Sequence, residues 1–567
     1  MLLDSLNIAG KGLNASSIAI QVAGQNLTNA STPGYVREHV VLSTSAPKDS
    51  HGYGIGTGVE VTGIVQMLDA YLEERLRTSQ SDAMNTSTQS GVYSQLEYIL
   101  NELTDQDLST ELNTFYNSIG NVLNQPESLS IRQMMIDEGV KLSGQIRDIG
   151  NSILNARIDI NRSIVDLSGQ INLITTEIAN LNNSIAAIEA GNPAGVEAVG
   201  LRDQRLAALS NLSSLVNIKT HEDQNGVVTV YCGGDMLVST QGAKKVVVDY
   251  IDDPYGQISL AEIRFAHNNA PLDVYSGKLN GLYKGRDDIL GQFSSDFNEY
   301  TATLIKEFNT VYSSGQGLTG YDIVTGAVSV NDTTVPLDKA GLFVTPKSGV
   351  FTVLVRNKET DISTSTEINV SFSDTGAEGM SLDDLVASLN TIDGISAKIT
   401  NNNQLEIKSD SPGLDIGFSG DTSGILSALG VNTFFTGTSA QDIDVSKILQ
   451  TDPGKLAVSN TGIGADTENG VILAALSDRR YSELDNKSIT EAYRLGVTEI
   501  MSKAGTVKAI ATGDISYYSS LLAQRNSISG VDIDEETLNL MNFQRMYQAT
   551  AKYVTVINEM LDALIRM

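Results

Sequence analysis

The chain has 567 residues, of which 41% are hydrophobic and 19% charged, with a formal net charge of −30. That length predicts about three domains, and the acidity excludes nucleic acid and anionic membrane surfaces, which are held by clustered Lys and Arg. Its one cysteine, Cys232, excludes internal disulfides and cysteine metal clusters, and His39, His51, His221 and His267 fall in no ligand spacing, so no metal or cofactor is expected.

The N-terminus lacks the basic region and continuous apolar core of a secretory signal, which fits either the cytoplasm or export by a dedicated apparatus. No apolar run approaches the about 18 residues of a membrane span. Residues 1–30 are predicted to be a helix. Leu6, Leu13, Ile20 and Leu27 recur every seven residues, and Ala9, Ser16, Ala23 and Ala30 follow each by three, which makes one apolar face. Pro33-Gly34 is a turn signal that ends this helix, and Tyr35 to Leu42 is predicted to be extended. Gly52, Gly54, Gly56 and Gly58 invite a phosphate-loop reading, but no Gly-Lys-Ser/Thr follows and the segment opens a strand, VEVTGIV. A turn with close backbone approach is expected there.

Helices are predicted at 68–82 and 87–101. The strongest periodicity runs through Ile146, Ile153, Ile160, Leu167, Ile174, Leu181 and Ile188, with Ile164, Ile171, Ile178 and Ile185 four residues after their neighbours. This predicts a bundle helix of about 60 Å. Beyond Leu215 the texture is strand-like, and Cys232 is expected to be inert within a strand pair. Helix resumes at 287–312. Residues 315–454 are rich in Gly, Ser, Thr, Asp and Asn and read as a β-rich insert, within which residues 381–410 form a helix on strands. Asp374-Thr375-Gly376 spells the aspartic-protease tripeptide, but Asp421-Thr422-Ser423-Gly424 has the wrong order to supply the second carboxylate, so surface turns are predicted.

Helices return at 470–476 and 489–526, and Gly530 interrupts the pattern. The segment from Val531 to Glu536 lacks the glycine and later Glu of a calcium loop. Asp534, Glu535 and Glu536 instead suit the first turn of a helix. That last helix carries Leu540, Tyr547, Val554 and Leu561, followed three later by Phe543, Thr550, Ile557 and Leu564.

The predicted fold is mainly α with β insertions, elongated and multidomain: a terminal coiled coil (1–40 with 530–567), a long helical rod with a small β part (41–314 with 455–529) and an outer β-rich domain (315–454). The two terminal stripes are expected to meet each other and neighbouring copies. Helices of about 30 residues are marginal alone, so their ordering is expected to accompany assembly. The residues assigned to that interface are Leu6, Leu13, Ile20, Leu27, Leu540, Phe543, Tyr547, Val554, Ile557 and Leu561.

The segment GQNLTNASTPGYVREHVVL (24–42) resembles the N-terminal motif of bacterial flagellar axial proteins, with Asn26, Asn29, Thr32, Pro33, Gly34 and Tyr35 matching and Gln25 standing where Asn is usual. Val531–Met567 resembles their C-terminal motif through Asp532, Glu535, Gln544, Tyr547, Ala549, Ile557 and Leu564. Gly54–Arg77 and Ala198–Ile218 are similar to segments of the hook-associated protein 1 family. Asp203, Arg205 and Leu209 match, while Gln66 departs from a usual Arg and Leu206 from a usual acid. The resemblance implies a structural, non-enzymatic junction between flagellar hook and filament. Its implied partners are further copies in a ring, the hook protein, a second junction protein on the filament side, an export chaperone and the flagellar secretion apparatus. It places Asn26, Asn29, Thr32, Pro33, Gly34 and Tyr35 in the turn that sets the exit from the first helix. The alternatives are a hook or rod axial protein, or a surface adhesive or hydrolytic protein with its activity in 315–454.

Overall fold

The computed structural model describes residues 2–32, 34–50, 53–101, 107–190, 197–373, 379–464 and 466–566. Helices form over Leu2–Asn29 (α1), Ala70–Leu100 (α2), Leu108–Asn124 (α3), Leu129–Glu189 (α4), Val199–Leu215 (α5), Gly277–Lys284 (α6) and Gln292–Tyr312 (α7). Further along are Leu382–Leu389 (α8), Ile425–Leu429 (α9), Lys447–Thr451 (α10), Glu468–Ala475 (α11), Ile489–Ser529 (α12) and Ile533–Ile565 (α13). The protein is 55% helical with 18% strand in small sheets, so it is mainly α with β insertions.

The segments predicted as separate helices at 68–82 and 87–101 are one helix, α2. Nothing in Ala83–Thr86 breaks it, and the Thr86 hydroxyl is satisfied by the Asp82 carbonyl at 3.1 Å. The helix predicted from 287 begins as a π-helical turn over Gly285–Gly291 before α7.

Helix α4 runs for 61 residues, about 90 Å at 1.5 Å per residue. Its strict heptad does not stay on one face. Ile146 and Ile153 are fully buried, whereas Ile188 is 49% exposed. A seven-residue repeat slips by about 20° per heptad on an ordinary α-helix. The positions four residues on rotate in as the first set rotates out, so Ile164, Ile171, Ile178 and Ile185 are the fully buried set.

The chain divides into two compact units. The first comprises Met1–Val92, Ile158–Arg286 and Gly505–Met567; the second comprises Tyr93–Arg157 and Asp287–Ala504. In the first, an antiparallel hairpin of Glu38–Thr44 and Val59–Gln66 follows α1. A four-stranded sheet and a second hairpin (Val246–Asp252 with Ser259–Phe265) lie between α5 and α6. Three asparagines of α4 fasten strand backbones to the helix. Asn161 donates to the Ser259 carbonyl and accepts from the Ala261 N–H. Asn172 makes the same pair with Val246, and Asn182 with Val228. An amide that both donates and accepts completes a strand edge as another strand would, so the strands pack against α4 without leaving buried backbone unpaired.

Asn182 is 1% exposed and also accepts from Arg205. Asn182→Leu strands the Val228 N–H and carbonyl together with part of the Arg205 guanidinium. It is expected to cost about 2–4 kcal/mol, read as a lower denaturant midpoint with an unchanged slope.

The second unit is centred on an aromatic cluster of Phe115, Phe308, Tyr312, Phe434 and Phe435. At Gly139 of α4 a Cβ would sit 2.6 Å from the Phe434 ring, so the close approach of these elements depends on its missing side chain. The β-rich part has two three-stranded sheets around a core that includes Phe351, Val353, Ile407, Ile416 and Phe418. Helix α8 packs on it, with a capping box between Ser381 and Asp384. This is the predicted helix on strands.

Candidate assembly site

α1 is covered from two directions, and that decides which of its residues are central. α13 packs along one side, and the hairpin of Glu38–Thr44 and Val59–Gln66 on another. The buried set is Ala9, Ala15, Ser16, Ala19, Val22, Ala23 and Asn26. Leu6, Leu13, Ile20 and Leu27 flank it half-buried. Small side chains let the backbones approach: a Cβ on Gly12 would lie 3.2 Å from the Thr550 methyl. On α13, Ile557 is fully buried, while Leu540, Phe543, Val554 and Leu561 are half-buried along the same line. Phe543 packs with Ala19, Val22 and Val40. Tyr547 lies at the rim, 42% exposed, and Leu564 is 58% exposed. The predicted seam residues are therefore gathered by two helices of one chain.

The turn after α1 closes around Asn29 and Thr32. The Thr32 N–H donates to the Asn29 carbonyl at 2.9 Å, and the Tyr35 N–H to the Thr32 carbonyl at 3.2 Å. Gly34 has φ +83°, a left-handed conformation that a side chain would strain. Pro33 lies outside the described residues.

Asn26 is the hub. Its Oδ1 accepts from the Tyr35 hydroxyl at 2.8 Å and the Glu38 N–H at 2.9 Å. Its Nδ2 donates to the Glu38 carbonyl at 2.9 Å and the Glu536 carboxylate at 3.2 Å. Arg37 joins the same place, with its guanidinium 2.6 Å from Glu536 and 2.9 Å from Glu535. The Arg37 N–H donates to the Ser529 carbonyl. Asp532 caps α13 by accepting from the Asp534 and Glu535 N–H groups, as a helix start rather than a calcium loop requires. Arg37, Glu38 and Glu536 were not singled out as site residues from sequence: Arg37 and Glu536 have partners about 500 residues away, and Glu38 bonds Asn26 through its backbone, which no side-chain pattern marks.

α13 also has a second apolar line. Met546, Ala549, Tyr553, Val556, Met560 and Ala563 repeat at spacings of 3 and 4 and are all exposed. Met546 is 52% exposed, and Tyr553, Val556 and Met560 are 43–44% exposed.

The other motifs resolve as local structure. Gly58 has φ +101°, and a Cβ there would lie 3.4 Å from the Ile8 Cα. This is a turn in close contact with α1, as expected. His51 and Gly52 lie outside the described residues, as do Asp374, Thr375 and Gly376. Asp421 accepts from the N–H groups of Ser423, Gly424 and Leu426, organising the turn into α9. Cys232 is buried in its strand, and burial pushes its thiol up to about 12. Among the described residues no group of three or more His, Cys, Asp or Glu side chains is placed to hold a metal ion. No described helix is long and apolar enough to cross a membrane.

The model of the FlgK helical domain of flagellar hook-associated proteins matches residues 93–326. That of the C-terminal segment of the flagellar basal body rod proteins FlgEFG matches 523–567. Flagellar hook-associated protein 1 of Escherichia coli K12 is 24% identical over 99% of this chain and 99% of its own. The chain is similar to hook-associated protein 1 over nearly its whole length. The Bacillus subtilis 168 member is also 24% identical, over 99% of this chain and 97% of its own. The solved structure of the flagellar hook junction protein FlgK from Burkholderia pseudomallei aligns with 80% of this chain and all of that one, with 16% identity and a TM-score of 0.48. The matched family is one of structural flagellar proteins, and α1, α13 and the Asn26 hub are the parts of this chain that join its two ends.

Proposed function

We propose that this chain forms the junction between flagellar hook and filament, as a structural part rather than an enzyme. Alignment with hook-associated protein 1 from end to end, both terminal motifs included, carries this reading. The terminal helices give it a physical route. Their facing stripes are used within the chain, and the outer line of Met546, Tyr553, Val556 and Met560 remains for a neighbouring copy. At about 25 cal/mol per Å², a few hundred Å² of apolar surface there contributes several kcal/mol per contact.

In this reading residues 1–40 with 530–567 are the assembly domain. Leu6, Leu13, Ile20, Leu27, Leu540, Phe543, Tyr547, Val554, Ile557 and Leu561 shape its surface, and the turn that follows Asn29, tied back to Asn26 of α1 by Tyr35, sets the angle at which the chain leaves it. Residues 41–314 with 455–529 form the helical body, and 315–454 the outer β domain. Copies close into a ring that meets the hook protein on one side and a second junction protein on the other. The flagellar secretion apparatus delivers the chain outside the cell, with a chaperone escorting it.

Deleting the gene and imaging the cells tests the assignment. Bare hooks, with flagellin lost to the medium, are expected. Absent hooks would overturn the assignment in favour of a hook or rod protein, and complete filaments would remove the junction role.

A further inference from the structure

We propose that Glu38 and Asp203 form a proton-held latch between the strand leaving α1 and helix α5, fastened while the pair keeps a proton and loosened when both carboxylates are charged. Glu38 is 6% exposed, and its Oε1 is buried with no hydrogen-bond partner among the described residues. Asp203 of α5 reaches the same strand pair through Gln66, the cross-strand partner of Glu38. It accepts from Gln66 Nε2 at 2.5 Å and from the Val36 N–H, both neutral donors.

The surrounding charges leave the pair uncompensated. Tyr35 faces Glu38, Asp203 and Glu536, and burial with these three acids raises its hydroxyl. Arg37 is taken by Glu535 and Glu536 of α13. Arg525 of α12, the cation whose field reaches Asp203, is bound to Glu73 of α2 at 2.9 Å. His39, the next residue of the strand, is exposed. A buried carboxylate oxygen without a donor needs a cation, and a proton is the one cation that requires no cavity.

Burial pushes Asp203 up to about 6, against the neutral donors and Arg525. Burial also raises Glu38, and the Asp203 charge adds to it. Acids raised in the folded state favour the closed joint at low pH, and that contribution is lost as pH rises through the folded value. For Asp203 alone, with an unfolded value of about 3.9, opening of the joint increases about tenfold between pH 5 and 8. Glu535, held below the ordinary carboxylate range by Arg37, stays charged across that window.

The test is hydrogen exchange of the full chain in a His39→Gln background, which removes an imidazole from the readout. Peptides covering 34–42 and 199–206 are followed at pH 5 and pH 8, with intrinsic rates corrected. Opening is expected to be about tenfold greater at pH 8. In Glu38→Gln/Asp203→Asn it should be equal at the two pH values. Gln66→Arg, which places a cation on Asp203, should likewise abolish the rise above pH 6, and it serves alone if the double variant does not fold. A role in packing only would shift protection equally at both pH values. A less than twofold change in the parent, or a tenfold change retained in these variants, overturns the latch.

Discussion

Replacing Val556 and Met560 by aspartate is expected to leave the free chain's fold and melting unchanged while stopping incorporation at the hook tip. Both side chains are more than 40% exposed on the outer line of α13, so the charges stay hydrated in the monomer. Against a neighbouring apolar face each would be desolvated without a partner, at a cost of several kcal/mol. Val554→Asp with Leu561→Asp is the contrasting pair. Those residues lie half-buried on the seam with α1, so their replacement should part the two helices before any neighbour is met. Circular dichroism of the monomer and electron microscopy of complemented cells separate the two outcomes. Normal filaments from Val556→Asp/Met560→Asp would rule out the outer line as the contact between copies.

Asn26→Leu is expected to be among the most damaging single changes in the first unit. The side chain is 1% exposed and takes part in four hydrogen bonds that tie α1 to Tyr35, the Glu38 backbone and Glu536. Leucine fills similar space but leaves a buried N–H, a carbonyl, a hydroxyl and part of a carboxylate unsatisfied. A loss of about 3–5 kcal/mol follows, measurable as a separate early transition in denaturant with faster exchange in α1 and α13. Asn26→Asp should not rescue it, since it sets a second carboxylate against Glu536. An unaltered transition would mean that the hub only decorates a joint held by apolar packing.

The terminal helices could be read from sequence because their stripes are local: a period near 3.5 shows within four turns, without knowing the partner. What could not be read was how many sides of α1 are covered. Leu6, Leu13, Ile20 and Leu27 look like a centre by size, yet the hairpin and α13 together place the centre on alanines and Ser16. Asn26, by contrast, was visible only through a family pattern, because its role requires Glu38 and Glu536. The asparagines of α4 are silent for the same reason, since each looks like an ordinary polar position until a strand edge arrives beside it. The helix break expected between 82 and 87 failed because the threonines there, Thr86 and Thr88, bond to carbonyls within α2 rather than in a turn. The heptad of α4 shows how far a local period can mislead when extended, since its first and last members end on different faces.

The contact between Asn26 and Glu536 spans 510 positions, which bears on the order of events when the chain is made or delivered. Closing a flexible loop of that size costs about 5–6 kcal/mol in chain entropy beyond a fixed term, so contacts of this kind form late unless the intervening segments have already shortened the path. Whichever end is available first, α1 has no α13 to lie against until the other end is free. The joint thus acts as a completion signal: the outer line of α13 is set in its final position only on a chain that has arrived whole. A copy truncated before Val531 would keep α1 but never present that surface, and should be excluded from the assembly rather than poison it.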